Sequence, residues 1–244
     1  MSGRRAAWTA VCVVAAGVAL MPLPARWVEL WYSGGLYPRI QRILTTLSNL
    51  SPYALFDLLL LAAAAAIAVA AYRAVRARGW RRGLLHTLAT ISCGAALVYL
   101  VFLATWGLNY RRAPLTSKLA FESARITRPA AADLATRTIH ALNELYAAAH
   151  SGQTDLVRLA AAFHSAERAL SGSATPGDGP GSGTVLGRPK FTLLGGYFHY
   201  TSVAGMTDPF FLETLLASDL LEVERPFVIA HEWGHLAGYA DESE

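Results

Sequence analysis

Three stretches in the first half of the chain carry almost no polar positions: residues 6–23, 52–72 and 84–108. Each is about long enough to cross a hydrocarbon core near 30 Å thick at a helical rise of 1.5 Å per residue, so each predicts a membrane-spanning helix. Ser51 and Pro52 punctuate the start of the second, and Trp106 and Tyr110 stand at the end of the third as interface anchors. Arg4 and Arg5 ahead of the first stretch also suit a signal peptide. Leu23-Pro24-Ala25 is a poor small-x-small cleavage site, however, so an uncleaved span is expected.

Between the first two spans the period changes. From Pro38, apolar residues recur as Ile40, Ile43, Leu44 and Leu47, the i, i+3, i+4, i+7 spacing of an amphipathic helix. Such a helix lies on the outer membrane surface or packs under a domain above it. Asp57 falls a turn and a half into the second span, a depth from which a carboxylate reaches the headgroups. Beyond residue 108 two more helical patterns appear. One follows Pro129 with Leu134, Thr138, Leu142 and Leu145; the other follows Thr154 with Leu156, Leu159, Ala160, Phe163 and Leu170.

Residues 172–188 are rich in Gly, Ser and Pro and read as a flexible loop. The stretch from Lys190 to Met206 then mixes aromatic and β-branched residues with glycines, which predicts one or two short strands or a hairpin. A helix is expected over 209–221, before a last helix near the end. The chain therefore divides into a membrane part (1–108), a helical segment (109–171), the loop (172–188) and a final segment (189–244). The predicted fold is mainly α: three N-terminal spans followed by an extracytoplasmic α+β domain.

Composition agrees with the membrane reading. The chain is 54% hydrophobic and only 16% charged, too apolar for an ordinary soluble domain. Its net charge of +4 owes much to arginines beside the spans: Arg4, Arg5, Arg73, Arg76, Arg78, Arg81 and Arg82. These touch anionic lipid and set orientation, and no nucleic-acid surface is expected from them. They place the N-terminus and the loop after the second span in the cytoplasm, and everything after 108 outside the cytoplasmic membrane. Arg111 and Arg112 weakly oppose that rule. Cys12 and Cys93 fall within spans as small apolar residues.

The chemistry sits near the C-terminus. His231-Glu232-Trp233-Gly234-His235 reads H-E-x-x-H inside an apolar stretch that opens with Pro226. Four helical positions turn about 400°, so the two imidazoles share one face, where both can bind one Zn²⁺. Glu232 stands beside the ion, placed to accept a proton from a water that the ion acidifies. A helix buried by Phe227, Val228, Ile229 and Ala230 has little reason to carry two His and a Glu unless something pairs them. His140, His150 and His164 show no ligand spacing and are expected in solvent-facing or core roles.

A catalytic zinc takes three protein ligands. Three carboxylates compete for the third place: Asp241, which Gly238 would turn back toward the metal, Glu242 and Glu244. If a helix followed with Asp241 as N-cap and Glu244 as its capping-box partner, Glu242 would be free to face the ion. A strand at a cleft edge holds an extended peptide in zincins generally, and Tyr197–Met206 is the candidate for it here. Tyr197, His199 and Tyr200 are candidate oxyanion donors.

These residues, with Trp106-Gly-Leu-Asn-Tyr-Arg-Arg-Ala-Pro-Leu and the segment from Gly196 to Met206, resemble a family of uncharacterised bacterial membrane proteins, the domain-of-unknown-function family 3810. The resemblance is loose over most of the chain and close at its C-terminal end. It implies a gluzincin-type zinc peptidase in which Glu242 is the third ligand and Glu244 next in line. The family pattern runs on past Glu244, so a fragment of a longer product is expected. The expected function is a membrane-anchored zinc metallopeptidase acting on peptide or protein substrates outside the cytoplasmic membrane. The alternative is a membrane metal-binding or scaffold protein without turnover.

Overall fold

The computed structural model of the protein describes residues 2–117, 119, 121–151, 155–170 and 183–242. The elements run α1 (Ser2–Leu20), α2 (Ala25–Trp27), a π-helical stretch (Val28–Leu36), α3 (Tyr37–Asn49), α4 (Leu55–Arg78) and α5 (Trp80–Thr105). Short 3₁₀ turns lead to α6 (Arg128–Ser151) and α7 (Leu156–Leu170). The chain closes with β1 (Pro189–Phe191), α8 (Gly195–Thr201), β2 (Gly205–Thr207), β3 (Thr214–Leu216) and α9 (Arg225–Leu236). The fold is mainly helical.

Two helices, α4 and α5, are each long and apolar enough to cross a membrane. The first predicted span has no such helix to itself. Ala6–Leu20 passes only together with Ala25–Asn49, and the two are bent by 111°. Pro24 sits at the break, where its ring prevents the helix from continuing. The chain thus has two helices able to cross a membrane, or three if the bent pair counts as one. The third span begins four residues earlier than expected, at Trp80, and ends before Trp106. Cys12 and Cys93 meet across α1 and α5 with sulfurs 3.8 Å apart.

The arm from Ala25 to Asn49 inverts the usual amphipathic arrangement. Its polar residues are the buried ones: Gln41, Thr45 and Ser48 are almost inaccessible, while Ile43 and Leu47 are more than half exposed. The reason is what lies above. Gln41 Nε2 donates to Val185 O (2.6 Å), Thr45 Oγ1 to Leu212 O (3.0 Å) and Asn49 Nδ2 to Leu186 O (3.0 Å). Backbone groups of a loop that would lack partners if buried are satisfied from a helix face. Ile40 and Leu44 pack into the core beside it.

The helix expected over 209–221 is absent. Asp208 is fully buried and accepts from the N–H groups of Phe210 (3.1 Å) and Phe211 (2.7 Å), fixing a turn at Pro209. Leu212 adopts φ +54°, which breaks any helix, and β3 follows. The sheet has the order β1-β3-β2, with β1 parallel and β2 antiparallel to β3. Between Lys190 and Met206 there are two strands as expected, but α8 stands between them. Tyr197–Thr201 is therefore helical, and only Gly205 and Met206 of the expected cleft segment are extended.

The two helical patterns appear as α6 and α7. α6 is exposed along its length. α7 sends Leu159, Ala160 and Phe163 against the core, where Phe163 meets Trp233 of α9 edge-on at 5.7 Å. Most of the loop 172–188 lies outside the described residues. Its end does not: residues 183–188 run back through the core beside α3 and Glu167.

Two acids join the sheet to the membrane helices. Glu213, inaccessible to solvent, ion-pairs with Lys190 Nζ at 2.5 Å and accepts from the N–H groups of Leu55 (3.1 Å) and Phe56 (3.0 Å). It caps the first turn of α4, where free N–H groups and the helix dipole favour an anion. Asp57 is not turned to the headgroups. It accepts from Thr192 Oγ1 (2.6 Å) and Leu193 N (2.9 Å), fastening the β1–α8 turn to the same helix.

Removing one partner of a buried pair strands the other charge. Lys190→Met is expected to destabilise the fold by about 3–5 kcal/mol. Lys190→Met/Glu213→Gln should recover part of the loss, because an amide oxygen still accepts from α4 without carrying a charge. Thermal unfolding in detergent measures both. Equal melting temperatures for wild type and Lys190→Met would contradict the role given to the pair.

Candidate functional site

α9 starts at Arg225 with Pro226 in its first turn, as its missing N–H allows. Val228, Ile229, Trp233 and Leu236 bury one side of the helix, and the indole of Trp233 donates to Gly187 O at 2.9 Å. This fixes the rotation of the helix and so the direction of the opposite face. His231 and His235 lie on that face with their Nε2 atoms 3.1 Å apart. His235 is buried, and its Nδ1 is 2.7 Å from Tyr239 O. A hydrogen bond there puts the ring proton on Nδ1 and leaves Nε2 as a bare acceptor facing His231.

Gly238, at φ +85°, turns the chain back after the helix. The turn brings Glu242 to the histidines: Oε2 lies 3.1 Å from His231 Nε2, and Oε1 lies 3.3 Å from His235 Nε2. These three side chains form a group able to hold a metal ion. Bonds of about 2.0–2.1 Å in a tetrahedron put ligand atoms about 3.3–3.4 Å apart, so the spacing fits zinc. Of the two competing carboxylates among the described residues, Glu242 is the one brought to both rings. Asp241 is exposed and outside the group, and Glu244 lies outside the described residues. The helix that Asp241 would cap lies outside the described residues.

Glu232 is 3% exposed, and burial pushes its carboxyl up to about 7. Thr207 Oγ1 lies 2.9 Å from both Glu232 Oε2 and Glu232 O. Thr207 and Gly205 share the face of β2 that meets α9. A Cβ on Gly205 would lie 2.7 Å from Val228 Cγ1 and 2.8 Å from Glu232 Oε1. Glycine therefore lets the strand pass directly over the carboxyl group.

β2 is an edge of the sheet. Ala217 N donates to Ala204 O, and Asp208 N to Glu213 O. With alternation along an antiparallel pair, the N–H and C=O groups of Gly205 and Thr207 then point away from β3, to the outer edge. The expectation of a cleft-edge strand thus meets a shorter strand, displaced toward Thr207. Sequence reasoning missed Thr207; a hydroxyl two residues after a glycine, in a stretch otherwise apolar, was the available signal.

The end of α9 is held by residues from the first half of the chain. Trp106 Nε1 donates to His235 O (3.2 Å), Tyr37 Oη to Leu236 O (2.9 Å), and Arg112 Nη1 to Gly238 O (2.8 Å). Arg112 also pairs with Glu29 at 2.8 Å and lies over the ring of Tyr239. Trp106 is consequently buried rather than an interface anchor, while Tyr110 is exposed. Arg111 donates to the carbonyls of Val18, Ala19 and Met21 at the end of α1. The two arginines that oppose the charge rule are engaged with helix C-termini, where positive charge is favoured.

The remaining candidates lie apart from this group. His199 Nδ1 is 2.6 Å from Asp219 Oδ2 on the exposed surface of α8, and Tyr197 and Tyr200 of the same helix face outward. His150 lies 2.8 Å from Tyr146 O, and His164 lies 3.1 Å from Glu167. His140 is exposed.

No curated protein and no solved structure matches the chain. Residues 32–244 match the family model described as "Protein of unknown function (DUF3810)", a match that takes in α3, both spans and every residue of the site described above. The chain belongs to that family.

Proposed function

We propose that this protein is a membrane-anchored zinc metallopeptidase. The observation that carries the reading is the meeting of His231, His235 and Glu242 within 3.3 Å of one another beside a buried Glu232. His231, His235 and Glu242 would hold the zinc ion, which would supply a Lewis acid to polarise a peptide carbonyl and acidify water. Glu232 accepts the proton of the attacking water and returns it to the departing amine. Thr207 steadies its Oε2, which leaves Oε1, under Gly205, as the oxygen that takes the proton. The outward N–H and C=O groups of Gly205 and Thr207 receive an extended substrate by strand addition. Buried surroundings suit the base, since a carboxyl raised toward neutrality accepts and releases a proton near working pH.

The same arginines that flank α4 and α5 support placing the domain outside the cytoplasmic membrane. Arg73, Arg76, Arg78, Arg81 and Arg82 cluster at one end of the two helices, and the site stands at the other. A non-catalytic metal-binding protein is the competing outcome of the tests below.

Three measurements examine the reading. Zinc content of the purified protein should be near one ion per chain and fall sharply in His231→Ala, His235→Ala and Glu242→Ala. Full zinc in the histidine variants would remove the ligand assignment. Glu232→Gln should keep its zinc yet lose hydrolysis of a peptide library by a factor of about 10² or more. Unchanged cleavage by that variant would discard Glu232 as the base, and absence of cleavage in the zinc-loaded wild type would leave a metal-binding module. For topology, a reporter active only outside the cytoplasm should give signal when fused after Tyr110 and none after Arg78. The reverse pattern would overturn the placement.

A further inference from the structure

Trp106 and His235 are 129 residues apart in the chain, yet Trp106 is the residue that follows the last turn of α5. Its indole bonds the carbonyl of His235 at 3.2 Å, and the two rings meet edge-on with centroids 6.2 Å apart. A metal ligand therefore rests on the end of a helix long enough to span the bilayer. Separation in sequence gives no separation in height.

The arm from Ala25 to Asn49 gives a second, independent marker. It is bent by 111° from Ala6–Leu20, so it runs close to the membrane plane if α1 runs close to the normal. Trp27, Leu30, Trp31, Leu36, Ile43 and Leu47 are exposed on it, a combination of indoles and aliphatics suited to the headgroup and upper acyl region. The opposite face carries Tyr37, whose hydroxyl bonds Leu236 O at 2.9 Å, in the turn that follows His235. One helix with its side chains is about 10–12 Å across. The end of α9 is thus about one helix diameter from the lipid-facing side of the arm.

The open side of the site agrees. His231 and Glu242 are its accessible ligands, and exposed Phe227 stacks on the His231 ring with centroids 6.4 Å apart. Exposed Tyr110, on the turn after α5, meets the ring of Trp106 edge-on with centroids 5.1 Å apart.

We propose that the His231–His235–Glu242 site works at the bilayer surface, on polypeptide segments tethered to the same membrane and just emerging from it. The inference rests on the peptidase reading for its chemistry and on the two height markers for its substrate class. A segment anchored in the bilayer is delivered to this height, where free peptides are dilute, and the gain is one of effective concentration and geometry.

The experiment uses the full chain, zinc-loaded, in phosphatidylcholine–phosphatidylglycerol vesicles. One arm measures height without activity. A fluorophore on Phe227→Cys, in a Cys12→Ser/Cys93→Ser background, is quenched by lipids carrying spin labels at graded depths. The expected result is strongest quenching by the headgroup-level label. The second arm supplies a peptide of randomised sequence, about 30 residues long and reaching roughly 100 Å when extended, with or without a stearoyl chain at one end. Cuts in the tethered peptide should cluster within about 10 residues of the anchor and form at least 10-fold faster than in the free peptide. Cuts spread evenly along the tethered peptide, equal rates for both peptides, or a label that no lipid quenches would overturn the surface placement and leave the peptidase reading standing. A quenched label with no cleavage of either peptide would overturn the peptidase reading, and the substrate class with it.

Discussion

The structure depends on how the last carbonyls of α9 are satisfied. Every helix ends with carbonyl groups that lack intrahelical donors, and a buried end must find them elsewhere. Here the N–H groups of Ala237, Tyr239 and Gly238 reach the carbonyls of Trp233, Gly234 and His235, and three distant side chains complete the set: Trp106 on His235 O, Tyr37 on Leu236 O and Arg112 on Gly238 O just past the helix. A neutral bond of this kind contributes about 1 kcal/mol net, and one from a charged donor about 1.5–3 kcal/mol. The larger effect is the penalty for leaving a buried carbonyl unpaired. If the helix that carries His231 and His235 moved away from these side chains, the buried hydroxyl of Tyr37 and indole N–H of Trp106 would lose their acceptors. Arg112 suits its place twice over, since its charge meets the negative end of the helix dipole and the carboxylate of Glu29.

What the sequence made legible follows from the range of each interaction. The pairing of His231 with His235 is a matter of four positions along one helix, and local spacing predicts it directly. The apolar stretches that became α4 and α5 are legible for the same reason. Glu242 was one of three carboxylates on spacing alone; Gly238 fixes the turn, and the contacts of Arg112 with Gly238 and Tyr239 fix where the turn leads. Those contacts span more than half the chain, and no local pattern encodes them. β3 escaped for the same cause. Thr214, Leu215 and Leu216 look equally suited to a helix until β1 and β2 pair on either side. Pro24 stands at the break after α1, so residues 6–20 pass the length and apolarity test only together with the bent arm.

The arm shows why hydrophobic periodicity can identify a helix and still misplace it. Ile40, Ile43, Leu44 and Leu47 do lie at helical spacing, but they do not act as one face. Ile40 and Leu44 pack into the core, and Ile43 and Leu47 look outward. In an ordinary soluble domain the polar residues between them would face water. Here Gln41, Thr45 and Asn49 meet loop backbone instead, while Ile43 and Leu47 share the outward side with Arg39, Arg42 and Thr46. The period identifies the helix, but the contacts above it decide which side is buried.

The buried pair of Lys190 and Glu213 completes this frame at the other side of the sheet. Removing two charges from water costs more than a lone contact returns, so such a pair is weak grounds for stability by itself. Its value lies in geometry. Glu213 can accept from Leu55 and Phe56 only if β3 stands at the first turn of α4, and Lys190 can reach both Glu213 and Ser48 O only if β1 stands beside α3. The sheet is thereby set on the membrane helices in one arrangement. β2 is hydrogen-bonded to β3, and Thr207 of β2 holds the carboxyl of Glu232. Under the proposed function this matters, because a general base must keep its oxygen within hydrogen-bond reach of the water it deprotonates. The base is positioned from the α4 side of the frame, through Glu213, β3 and β2. The metal ligands are positioned from the α5 side, through Trp106 and Arg112. A catalytic arrangement split between two supports is reliable only if the supports do not move relative to each other, and the close packing of α4 against α5 supplies that condition.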